Sequence, residues 1–221
     1  MEPKPRRNTE ARERPTYLSN KETTVINLRI AASRIALPMA AIAAISLNVF
    51  CAPAMAATVE VSETKTIIDH VTVSSSKPYA SVKQDLESRL GRLDDHIRTL
   101  LKQDKVDELR VALQKAAGND GLVIHYIGLH GDWLVLKGQR RNGTEYFTGN
   151  VLTATEMTSV NMAAGLYAPL RIMVYENAQG GTTIEYDKPS TQLSQFHSAQ
   201  IDVQGRSLDD RLAKLCASVL Q

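Results

Sequence analysis

The sequence predicts a single α+β domain that follows a signal peptide, with a mainly antiparallel sheet and helices packed on one face. Three observations carry that prediction. An uncharged apolar run near the N-terminus ends in a small-x-small triplet. Short β-branched or alternating runs are interleaved with segments of helical spacing. One stretch, Leu170 to Lys188, alternates apolar and polar residues on both sides of a glycine-containing turn.

Residues 1–34 form a basic polar extension with eight Lys and Arg against four Glu, net +4. Residues 35–50 (IALPMAAIAAISLNVF) carry no charge, and Ala54-Met55-Ala56 supplies the small residues of a cleavage site. That order is the pattern of a secretory signal peptide, with residues 35–56 as its hydrophobic region and cleavage site. The basic flank stays in the cytoplasm and the remainder crosses the inner membrane, so a periplasmic location is expected. The alternative is a chain anchored by the uncleaved segment, since the uncharged window runs on to Val59. Pro38, Asn48 and Pro53 make that window a poor span. Phe50 before Cys51 is too bulky for lipoprotein processing, and Arg6-Arg7 lies far from the apolar run.

Residues 57–65 read as a flexible linker and residues 66–221 as the domain, large enough to bury roughly 70% of its unfolded surface. Beyond Ala56 the chain has 18 basic and 20 acidic side chains, net −2, and lacks a basic stripe with interleaved aromatics, which argues against nucleic acid as a partner. The membrane is expected to be met only through the export signal. Cys216 is the sole thiol after cleavage and sits among Leu212, Leu215 and Val219, where it reads as a small buried hydrophobe.

Taken in order, Ile67–Val73 is β-branched and predicts the first strand. Ser81 with Gln84 offers a capping box for a helix whose Val82, Leu86, Leu90 and Leu93 share a face. Gly91, Asp94-Asp95 and the cap candidate Asp104 divide the region up to Ala117 into two or three helical pieces, and Gly118-Asn119 ends them. Leu122–Ile127, Trp133–Lys137 and Glu145–Gly149 predict three strands. The last two would be joined by an Asn142-Gly143 hairpin that sets Arg140 opposite Glu145. Asn150–Met162 predicts a short helix.

A turn at Asn177–Gly181 pairs Glu176 with Thr182. It sends Leu170, Ile172, Val174, Ile184 and Tyr186 to one face, and Arg171, Met173, Tyr175, Thr183, Glu185 and Asp187 to the other. Ser207 with Asp210 predicts the cap of a closing helix with Leu208, Leu212, Leu215 and Val219 as its buried stripe.

Several separated strings resemble one family. They are Tyr146-Phe147-Thr148-Gly149-Asn150, Ala164-Gly165-Leu166-Tyr167-Ala168-Pro169-Leu170-Arg171, Val174-Tyr175-Glu176, Glu185-Tyr186-Asp187-Lys188-Pro189-Ser190 and Gln195-Phe196. Together with Leu90-Gly91-Arg92-Leu93-Asp94 and the closing helix, they are similar to the bacterial domain of unknown function 302 family across most of Val71 to Leu220. The family pattern continues Gly-Asn with proline, where this chain has Val151. The resemblance implies a compact α+β domain, often an oligomer, without an established activity, so no catalytic residue is carried over.

The candidate site follows from the residues alone. Asn150, Tyr167, Tyr175 and Glu176 are expected to gather at the rim of the sheet as a pocket for a small polar ligand, the phenols supplying stacking area and hydrogen bonds. The same polar face also reads as the solvated side of an antiparallel sheet. A third reading makes Met173 and Tyr175 the centre of a homodimer contact. An enzyme using the Tyr175/Glu176 region is the alternative to a binding or interaction module. No cofactor is indicated, and no His/Cys cluster has metal-ligand spacing.

Overall fold

The computed structural model describes residues 59–221, and residues 66–221 form one compact unit. The basic extension and the expected signal peptide lie outside the described residues. The unit opens with β1 (His70–Ser75), α1 (Tyr79–Arg89), β2 (Gly91–Arg92), α2 (Asp95–Lys102) and α3 (Val106–Ala116). Then come β3 (Val123–Gly128), a short α4 (His130–Trp133) running into a 3-10 turn at Leu134–Lys137, and β4 (Gly143–Gly149). The chain continues through α5 (Val151–Val160), a 3-10 segment (Met162–Tyr167), β5 (Leu170–Glu176) and β6 (Thr182–Asp187). It closes with α6 (Pro189–Leu193), a 3-10 turn (Ser194–Phe196) and α7 (Ala199–Leu220).

The six strands form one sheet in the order β1-β6-β5-β4-β3-β2. All neighbours are antiparallel except β2 and β3, so the sheet is mixed. The hairpin register follows the sequence expectation, with Glu176 opposite Thr182 and Val174 opposite Ile184. Its turn closes through the Asn177 side chain, which accepts from the amides of Gln179 and Gly181 at 3.1 and 3.0 Å.

Leu170, Ile172, Val174, Ile184 and Tyr186 are buried, while Arg171 is exposed and Met173, Tyr175, Glu185 and Asp187 are half-buried. The buried row meets Val82 and Leu86 of α1, Met157 of α5, Leu193 of α6 and the Ile201, Leu208, Leu212, Leu215 stripe of α7 in one core. Ile97, Leu100 and Leu113 are buried outside that core, where α2 and α3 pack together.

At the centre of the sheet Tyr146 is fully buried opposite Ile172, and its hydroxyl donates to Glu87 Oε1 of α1 at 2.9 Å. Lys83, one turn earlier on the same helix, donates to that oxygen at 2.6 Å. Burial, and then the Glu87 carboxylate beside it, push the Tyr146 phenol well above its ordinary value. Burial also opposes ionisation of Glu87, but the hydrogen bonds from Lys83 and Tyr146 outweigh it and hold this carboxyl below 4.5. Cys216 is buried on α7 as expected, and desolvation pushes its thiol up to about 12.

Four local expectations are corrected. The first strand starts at His70 rather than Ile67. Helix α1 starts at Tyr79 without a side-chain cap, because the extended Pro78 presents its carbonyl to the amides of Ser81 and Val82, both at 3.1 Å. Trp133–Lys137 is helical, not a strand. Gly138 stops it in the left-handed region at φ 67°, and the Asn142-Gly143 hairpin does not form. Helix α7 begins at Ala199 under a Ser198 cap, eight residues before the Ser207 expected to start it. Gly205 lets its first half lie against α6, since a Cβ there would come within 3.0 Å of Ser190 Cα. The two-residue strand β2 was not expected.

Tyr146→Phe removes the donor to Glu87 and is expected to destabilise the fold by about 1.5–3 kcal/mol in urea unfolding. Glu87 titrates lower in the folded chain than its ordinary 4.5, so its contribution is complete above pH 4.5 and fades as pH falls through the lower folded value. Glu87→Gln should flatten that part of the stability profile. A variant retaining the full wild-type acid loss would show that Glu87 is not the group responsible.

Candidate functional site

The four side chains expected to form one site divide between the two ends of the sheet. Gly143, at the start of β4, pairs with Tyr175, whereas Asn150 follows the last residue of that seven-residue strand. At the rise of an extended chain the two ends are about 20 Å apart. Asn150 and Tyr167 come together at one end; Tyr175 and Glu176 stand at the other.

At the Tyr175 end the geometry is that of a wet sheet face. The Tyr175 hydroxyl donates to Glu185 Oε1 at 2.9 Å, and Glu176, exposed, accepts from Asn142 Nδ2 at 2.6 Å. Tyr175 and Glu176 are successive strand residues on opposite faces, so Glu176 is not a recessed acid beside the phenol. Further along the same face, past Glu185 and away from the Tyr175 end, His70 Nδ1 lies 2.9 Å from Asp187 Oδ1, and Nε2 lies 3.7 Å from Glu185. The Asp187 hydrogen bond raises the His70 pKa above 6.5 despite some desolvation.

At the Asn150 end there is a half-open cavity of about 280 Å³. Gly149 and Leu170 bring the strand ends to it, and the first turns of α5 contribute Asn150, Thr153 and Ala154. Tyr167 and the cis-linked Ala168-Pro169 close another side, with Leu208 of α7 behind. Asn150 is held rigidly: its Oδ1 accepts from the Thr153 amide at 3.0 Å and its Nδ2 donates to the Gly121 carbonyl at 2.8 Å. It is therefore the helix cap and a wall, with its amide already paired. The ring of Tyr167 is fixed edge-on against Phe196, with centroids 5.9 Å apart.

His125 is the cavity residue that sequence reasoning missed. The β3–β4 register jumps between Ile124 and Tyr126, leaving His125 as the extra residue of a bulge. Bulges re-aim side chains in this way. The ring comes near Gly149, where a Cβ would lie 3.8 Å from Nε2. Its outer edge is exposed, yet the surrounding wall desolvates it enough to lower its pKa below 6.5. Among the described residues neither the His125 ring, the Tyr167 hydroxyl nor the Thr153 hydroxyl has a hydrogen-bond partner. No Asp, Glu, Lys or Arg lines the cavity. What the arrangement offers is an uncharged, largely apolar recess with three spare hydrogen-bonding groups.

A family model described as "Domain of unknown function DUF302" matches residues 97–219. Among solved structures the chain is similar to one described as an uncharacterized conserved protein DUF302 from Bacillus stearothermophilus. Identity is 18% and the TM-score 0.47, over 69% of this chain and 98% of that one. No curated protein matches the chain.

The two histidines should part in an NMR titration, His70 above 6.5 and His125 below it. The His70 contribution to stability is then complete below pH 6.5 and lost as pH rises through its higher folded value. Asp187→Asn should return His70 toward 6.5 and leave His125 unmoved. Coincident titrations would contradict both environments.

Proposed function

We propose, from the premise that the chain belongs to the DUF302 family, that it is an exported binding protein whose cavity between β4, β5 and α5 takes a small uncharged ligand. The observation that carries this reading is the recess itself: about 280 Å³, free of charged side chains, with His125, Tyr167 and Thr153 holding unspent hydrogen-bonding groups. Burying a charged ligand in such a wall would leave that charge unpaired. The ligand therefore has an apolar body and one or two polar atoms, narrower than the small polar ligand read from sequence. The volume lies just under the range usual for drug-sized molecules, which limits the ligand to a fragment-sized compound. Neutral His125 can donate from one ring nitrogen and accept at the other.

Export rests on the uncharged run at residues 35–50 and on Ala54-Met55-Ala56. Among the described residues no helix is long and apolar enough to cross a membrane. A periplasmic binding protein gives both features one purpose.

In a ligand-observed NMR screen of small neutral compounds, hits should shift the resonances of His125, Thr153 and Tyr167. Ala154→Phe, which fills the recess, should abolish them while leaving the fold intact. Hits that survive Ala154→Phe, or that shift only the Tyr175 end, would refute the cavity reading. For export, the intact mass of protein isolated from its own cells should correspond to a chain beginning at Ala57. A mass that retains residues 35–56 would instead support the anchored alternative.

A further inference from the structure

We infer that the segment between β3 and β4, residues 129–142, is a docking lobe for an anionic lipid surface. The inference rests on features at the opposite end of the sheet from the cavity and is independent of the ligand reading. Strand β3 ends at Gly128, β4 starts at Gly143, and Gly128 pairs with Glu145, so the intervening residues leave and rejoin the sheet at one place.

The lobe is ordered and anchored. Trp133 N donates to the Leu129 carbonyl at 3.2 Å and Gln139 N to that of Leu134 at 3.0 Å, closing its α and 3-10 turns. His130 Nε2 lies 2.9 Å from Glu145 Oε2, which ties the base to β4. Gly131 packs so closely that a Cβ would overlap the Arg141 carbonyl.

Leu129, Trp133 and Leu136 follow the i, i+4, i+7 spacing that lines one side of consecutive helical turns. All three are exposed, Trp133 at 67% and Leu136 at 78%. Folding does not explain leaving the chain's only tryptophan in water. Lys137, Arg140 and Arg141 follow directly, all exposed, and none forms an ion pair among the described residues. Against them the lobe has only Asp132, so it is net +2 on a chain that is net −2 beyond Ala56.

A tryptophan with aliphatic neighbours, flanked by cations, is the chemistry of the bilayer interface. The indole settles at headgroup depth, the leucines enter the acyl boundary, and Lys and Arg meet lipid phosphates. A protein partner needs about 800 Å² on each side, spread over some 20–30 residues. The exposed apolar side chains of the lobe are four, Leu129, Trp133, Val135 and Leu136, within a segment of 14 residues. The proposal replaces the expectation that the membrane is met through the export signal alone.

The test uses residues 66–221, which enclose their own core and omit the apolar N-terminal run. With phosphatidylglycerol-containing vesicles at low salt the protein should co-sediment, and Trp133 fluorescence should shift to the blue. Added salt should reverse both, and pure phosphatidylcholine vesicles should give little of either. Lys137→Gln/Arg140→Gln/Arg141→Gln should weaken binding on the order of 100-fold. Leu136→Ser should also weaken it, and unchanged circular dichroism would show that both variants fold. The proposal is overturned by no partition into anionic vesicles, or by undiminished binding of the triple variant. A blue shift that grows with protein concentration without vesicles also overturns it, and would assign the lobe to a second copy of the chain.

Discussion

The pleat of β5 is the constraint on which the rest of this structure depends. Successive residues from Leu170 to Tyr175 go alternately into a helix-covered core and onto an open face. Because the period is two, a slip of one residue would drive Arg171 and Met173 into the core and expose Ile172 and Val174. The neighbours lock the register from both sides. Ile172 lies opposite the buried Tyr146 of β4, and Val174 opposite Ile184 of β6, which in turn faces Val73 of β1. The hydrogen bond from Tyr146 to Glu87 then ties this row to α1 through a polar contact that only one placement of the helix satisfies.

Both proposed surfaces are displaced from that row toward the ends of the sheet. At one end, the strand termini and the bulge at His125 frame a recess in which Asn150 is fixed by its own hydrogen bonds and the Tyr167 ring by Phe196, so little ordering of these two is left for a ligand to impose. At the other, the connection from β3 to β4 leaves the sheet as a short, tethered lobe with its apolar side chains outward. A surface-bound protein with a small binding recess turned away from the surface would satisfy both ends at once.

The hairpin was legible in sequence because two independent signals agree there, an alternation of eleven or more residues and a turn with its own side-chain closure. Membership of the family was equally legible, since its motifs are many and occur in order. The run Trp133–Lys137 is ambiguous in sequence because a short apolar stretch looks the same as a buried strand and as two helical turns, and Gly138 rather than Asn142-Gly143 decides where it ends. In α7, Ser207-x-x-Asp210 mimics a cap, while the true cap at Ser198 precedes a helix interrupted in appearance by Gly205. Of the four residues expected to share one pocket, Asn150 and Tyr167 line the cavity, whereas Tyr175 and Glu176 stand at the far end. His125 could not have been found, because a bulge is a property of two paired strands and leaves no mark on either sequence.

The most direct test of this account is the reactivity of single cysteines placed in turn at Arg171, Ile172, Met173, Val174 and Tyr175, with the native Cys216 replaced by alanine. Under native conditions a thiol reagent should label positions 171, 173 and 175 readily and positions 172 and 174 only as fast as the domain unfolds. Uniform labelling along the strand, or protection at the odd positions instead, would contradict the pleat and with it the placement of both the recess and the lobe.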